Sequence, residues 1–140
     1  MKIVRILGIL VLIGIIVFAL IQLIPYGRSH KNPPVVQEPN WDAQTRAIAK
    51  KACFDCHSNE TVWPWYSNIA PVSWLVQRDV DEGRSKLNFS DWGHNVRSVA
   101  EIADEIQGGD MPPGQYKLLH PAAKLTDAER QTLIQGLQGK

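Results

Sequence analysis

The chain has 140 residues and a formal net charge of +1. That length suits one domain plus an anchoring or targeting segment, and that charge gives no bulk electrostatic case for nucleic-acid binding. Hydrophobic residues make up an ordinary 44% but crowd into the first two dozen positions, and the only cysteines, Cys53 and Cys56, are too few for a disulfide framework.

Ile6 to Ile24 carries no charge and one strongly polar residue, Gln22. As a helix it reaches roughly 28 Å, close to the hydrocarbon thickness of a bilayer. A secretory signal has a shorter apolar run and a small-x-small cleavage site, and neither feature is present. The reading is an uncleaved transmembrane anchor over residues 1–27, with Tyr26 suited to the interface. Arg28 and Lys31 nearly balance Lys2 and Arg5, so flanking charge alone leaves the orientation open. Residues 28–40 follow as a linker. Pro33, Pro34 and Pro39 favour extended backbone there, and a plain spacer is the simplest reading.

A single domain is expected over 41–140. Asp42 to Ala52 has Ala43, Ala47, Ile48 and Ala52 at helical spacing. It leads into Cys53-Phe54-Asp55-Cys56-His57. Two thiols separated by two residues suit addition across the two vinyl groups of a haem, and the following histidine suits the iron as proximal ligand. The covalent bonds of a haem c are made on the outer face of the bacterial cytoplasmic membrane, so this motif also puts the domain on the periplasmic side. A thioredoxin-like dithiol would need a strand–helix context, and a zinc site a fourth ligand such as His94 or His120. Trp63, Trp65 and Tyr66 come next, and their rings are suited to cover a porphyrin or donate to its propionates.

Three more helices are expected. One runs from Pro71 to about Arg84, with Val72, Leu75, Val76 and Val80 on its apolar face and Gly83 as a stop. Another runs from an N-cap at Ser90 to about Gln107, striped by Trp92, Val96, Val99, Ala103 and Ile106 and ended by Gly108-Gly109. The last opens on a Thr126/Glu129 capping box and ends near Leu137. No stretch alternates with period two. The expected fold is all-α, a small cytochrome c-like helical domain around one haem, preceded by a single transmembrane helix.

Met111 precedes Pro112-Pro113 in the loop between the last two helices, and its thioether suits the distal side of haem iron. His120 is the main rival, His94 falls away from the apolar stripe, and His30 lies in the linker, where a solvated role is expected.

Cys53 to Trp74, Leu87-Asn88-Phe89-Ser90, Gly109-Asp110-Met111-Pro112-Pro113, Leu119-His120-Pro121 and Leu125 to Arg130 together resemble the bacterial haem-binding-domain family related to monohaem cytochromes c. The resemblance runs from about Trp41 to Leu137. It implies Cys53 and Cys56 as attachment sites, His57 as proximal ligand and Met111 as the methionine-proline element. The functional expectation is a membrane-anchored electron carrier that works with a redox protein or membrane complex and is not an enzyme. A redox or gas sensor, or a peroxidase-type enzyme with a displaceable distal ligand, is the alternative.

Overall fold

A computed structural model describes residues 2–94 and 98–139. Among them the regular elements are all helical: α1 Lys2–Ile21, α2 Ala43–Ala52, α3 Phe54–His57, α4 Val72–Lys86, α5 Val99–Gly108, α6 Gly114–Leu119 and α7 Asp127–Leu137. Short 3-10 turns occupy Trp65–Asn68 and Pro121–Ala123. Extended backbone pairs only in an isolated parallel bridge between Gln37 and Asp91, among the described residues.

The chain divides into two compact units. The first holds residues up to Lys31 together with Trp63–Asp79. Its α1 is long and apolar enough to cross a membrane, and none of its described residues is buried. The helix stops at Ile21, where Gln22 turns its side chain to other work. The Gln22 amide donates to the Ala70 carbonyl (2.9 Å) and accepts from the Ala70 N–H (3.0 Å). Arg28 donates to the Gln22 carbonyl and side-chain oxygens (2.7 and 2.8 Å). Gly27 has φ +80, and a side chain there would overlap the Ser73 carbonyl, so glycine is required on both counts. His30 stacks on Trp63 at 4.8 Å and its Nε2 lies 2.9 Å from the Ser67 hydroxyl, which replaces the expected solvated role.

The second unit holds Asn32–Val62 and the chain from Val80 onward. Its core joins Ile48, Ala49 and Ala52 of α2 and Phe54 of α3 to Leu87 and Phe89. Ile102, Ala103 and Ile106 of α5, Leu133, Ile134 and Leu137 of α7, and Ala123 and Leu125 between α6 and α7 complete it. The Asp42 carboxylate caps α2 by accepting from the Thr45 N–H (2.8 Å) and hydroxyl (2.9 Å). The buried face of α2 is Thr45, Ile48, Ala49 and Ala52; Ala43 and Ala47 face out, contrary to the expected stripe. Thr45 crosses α7 at Gly136, where any Cβ would strike its side chain. The Thr126/Glu129 capping box is present with both of its bonds, and Lys51 of α2 pairs with Glu129.

The proline-rich stretch is extended, yet from Asn32 it is held. Asn32 donates to the Thr61 carbonyl, Asn59 donates to the Pro34 carbonyl, and Val36 and Gln37 donate to Ser90. Two helix boundaries need correction. Ser98, not Ser90, caps the third long helix of the domain, accepting from the Glu101 N–H (3.2 Å). Ser90 is buried, and its hydroxyl accepts from the Asn59 N–H (2.9 Å) instead. Trp92 therefore lies in a turn, where it packs on Phe89 and Trp41, and Val96 lies outside the described residues. The expected end holds: Gly109 caps α5 in the left-handed region at φ +82.

Candidate functional site

The cysteine–histidine motif sits on the short turn α3, immediately after α2. The Cys53 N–H still donates to the Ala49 carbonyl, but at φ −126 Cys53 leaves helical geometry and the chain restarts as Phe54–His57. The His57 N–H then donates to the Cys53 carbonyl (2.8 Å), which closes the turn. Cys53 and Cys56 are not joined in a disulfide. Burial pushes the Cys53 thiol up to about 12, with Cys56 adding a smaller repulsion. A thiol so placed stays protonated at neutral pH, the opposite of the lowered pKa of a reactive redox pair.

Gly83, expected as a helix stop, has another task. The helix α4 continues past it to Lys86, and a Cβ at Gly83 would overlap the Cys56 carbonyl. The missing side chain lets α4 lie directly on the motif. That approach delivers the Gly83 and Leu87 carbonyls to within 3.0 and 3.1 Å of His57 Nδ1. The ring therefore donates from Nδ1, and Nε2 is left as the acceptor nitrogen. Burial holds His57 below the ordinary histidine value, so the neutral form is favoured. A neutral imidazole oriented through its other nitrogen is the usual preparation of a metal ligand. Gly83→Ala should cost about 1–3 kcal/mol by overpacking. Thermal unfolding should show it as a fall of several degrees, whereas an unchanged melting temperature would mean that α4 does not press on Cys56.

His57 lines a cleft of about 320 Å³ together with Cys53, Met111, Leu87, Phe89, Ile102, Ile106 and Leu133. Lys86 and Glu105 contribute the charged groups. The volume falls near the lower end of ordinary small-ligand sites and the walls are mainly apolar, as such sites require. Met111 is brought there from beyond α5, and its N–H donates to the Glu105 carbonyl (3.1 Å). An imidazole and a thioether, 54 positions apart in sequence, thus face one apolar cleft beside a cysteine thiol. That donor set fits haem iron, for which His and Met are established axial ligands. Cys56 is not among the lining residues; its backbone is the one packed on Gly83.

A family model for the haem-binding domain matches residues 16–139. The chain belongs to the haem-binding domain family. No curated protein and no solved structure matches the chain.

Other residues brace the motif of this haem-binding domain. Asp55, between the two cysteines, accepts from the Tyr116 hydroxyl (2.6 Å) and the Val62 N–H (3.0 Å). Burial, then the Asp55 hydrogen bond, raises the Tyr116 phenol well above its usual range, so it remains a donor. Arg84 donates to the Ser58 carbonyl (2.8 Å) and the Thr61 hydroxyl (2.9 Å), fixing the chain just after His57. Sequence reasoning missed the Gly83 and Leu87 carbonyls, Phe89, Lys86, Glu105 and the Asp55–Tyr116 bond. Only the apolar Leu87-Asn88-Phe89 segment carried a signal, through the family resemblance.

The remaining candidates are not among the residues that line this cleft. His120 stacks on Tyr116 at 4.1 Å, with Nδ1 3.2 Å from the Tyr116 carbonyl. His94 sits in a turn rather than on a helix, 76% exposed and paired with Asp91. Trp63, Trp65 and Tyr66 belong to the first unit and are not among the cleft residues. Trp63 stacks on His30 there, and Trp65 meets Tyr66 edge-on at 5.9 Å.

Proposed function

We propose that this haem-binding domain is a membrane-anchored c-type cytochrome that passes single electrons. The observation that carries the reading is the shared cleft of Cys53, His57 and Met111, with His57 Nδ1 already engaged by two carbonyls. Cys53 and Cys56 would hold the haem through thioethers, and His57 Nε2 and the Met111 sulfur would bind its iron. The haem supplies reversible one-electron chemistry between ferric and ferrous iron.

The chain's own contribution is ligation and shielding. Leu87, Phe89, Ile102, Ile106 and Leu133 would give a bound haem an apolar surround, and the carbonyls of Gly83 and Leu87 fix the imidazole tautomer. A methionine ligand favours the reduced state relative to a second histidine. Helix α1 would anchor the domain in the bacterial cytoplasmic membrane with the haem on its outer face, within reach of a redox protein or membrane complex. No catalytic acid or base is required.

The test is a spectral series on purified full-length protein: oxidised, reduced, and reduced under carbon monoxide. A carrier with both axial positions filled binds carbon monoxide slowly or poorly. Rapid, complete binding would instead assign the domain to gas sensing or peroxidase-type chemistry.

A further inference from the structure

Part of the first unit buries small hydroxyls and exposes large apolar side chains. Ser67 and Ser73 are fully buried, while Trp65 is 76% exposed and Leu75 50%, with Ile69 and Val72 open beside them. Trp65 opens the 3-10 turn, Ile69 lies in the extended link after it, and Val72 and Leu75 are three apart on one face of the start of α4. The buried hydroxyls are satisfied inside. Ser67 donates to the Pro64 carbonyl (2.5 Å), and Ser73 lies 3.5 Å from the Tyr26 carbonyl. Single exposed apolar side chains are ordinary, but four large ones interleaved in sequence with two buried serines are not suited to water.

This run is fastened to the end of α1. The Gln22 amide pairs with both backbone groups of Ala70, midway between Ile69 and Pro71, and Gly27 closes onto Ser73. Leu23, Ile24 and Tyr26 are also exposed at this end of the helix. The run is therefore held at the level where an apolar span gives way to headgroups, the depth at which tryptophan and tyrosine concentrate.

We propose that Trp65, Ile69, Val72 and Leu75 form a second membrane contact, seated in the lipid interface beside the end of α1. The inference rests on the reading of α1 as a membrane anchor. It assigns Trp65 to lipid rather than to haem, and it makes the Gln22–Ala70 pairing a brace that sets the depth of the run.

The experiment places the photoreactive residue p-benzoylphenylalanine at Leu75 and, in a second variant, at Ile69, both in full-length protein in its native membrane. Leu118, exposed in the second unit, serves as the control position. Irradiation followed by intact-mass analysis should give phospholipid adducts several-fold above those at Leu118. Adducts to protein, from a second copy or another chain, would overturn the proposal. So would adducts no more abundant than at Leu118 while alkaline carbonate leaves the protein in the membrane; in that case the anchor stands and the second contact falls. Release of the protein by carbonate would remove the anchor reading and the inference with it.

Discussion

Replacing Met111 by alanine should open the iron. The ferric protein should lose the weak far-red band of thioether coordination, and the ferrous protein should bind carbon monoxide rapidly and completely. The reduction potential should fall by on the order of 0.1 V, a modest part of the ~0.8 V that axial ligands span. The reason is placement: Met111 supplies the one thioether among the cleft residues, and its backbone is tied to Glu105 at the end of α5. The matched control is His120→Ala. His120 is stacked on Tyr116 and lies outside the cleft lining, so its loss should leave the spectrum nearly unchanged. If His120→Ala opens the iron and Met111→Ala does nothing, the haem is bis-histidine and the distal assignment is wrong.

The second large effect belongs to His57→Gly. The proposed attachment through Cys53 and Cys56 would survive this change, so the haem should remain on the protein through denaturation. The proximal nitrogen is gone, however, and the six-coordinate spectrum should disappear with it. Free imidazole should restore that spectrum, because the substitution vacates a ring-sized space that still presents the Gly83 and Leu87 carbonyls to an N–H donor. N-methylimidazole, which has no N–H to donate, should restore it less well. Equal rescue by both would mean that the two carbonyls do not orient the ligand.

The parts of this site that were legible in the sequence are those encoded locally. Cys53, Cys56 and His57 fall within five consecutive positions, and Thr126 with Glu129 is a capping pair three residues apart; both patterns are local. Met111 stood out by its chemistry and its proline neighbours rather than by any pattern of spacing. What stayed hidden depends on partners far along the chain. The carbonyls that orient His57 come from 26 and 30 residues downstream. Gly83 looks like a helix stop because glycine often is one, but its purpose is the close approach to Cys56, which no local rule reveals. Ser90 satisfies every local requirement of an N-cap, yet its hydroxyl is taken by Asn59, 31 residues away. Helix α6 has six residues, too few to show a period, and opens on a glycine. In α4, the expected apolar face holds at Val80, which is buried, whereas Val72 and Leu75 are exposed and the polar Ser73 is buried.

The central claim is that Cys53 and Cys56 carry a haem covalently in the cleft that His57 and Met111 line. The most direct measurement is the mass of the tryptic peptide containing Cys53–His57, from protein made in a host with cytochrome c maturation machinery. The account predicts that peptide with one haem attached through both cysteines. Two unmodified thiols on that peptide, with all the haem extracted by acidified organic solvent, would contradict it.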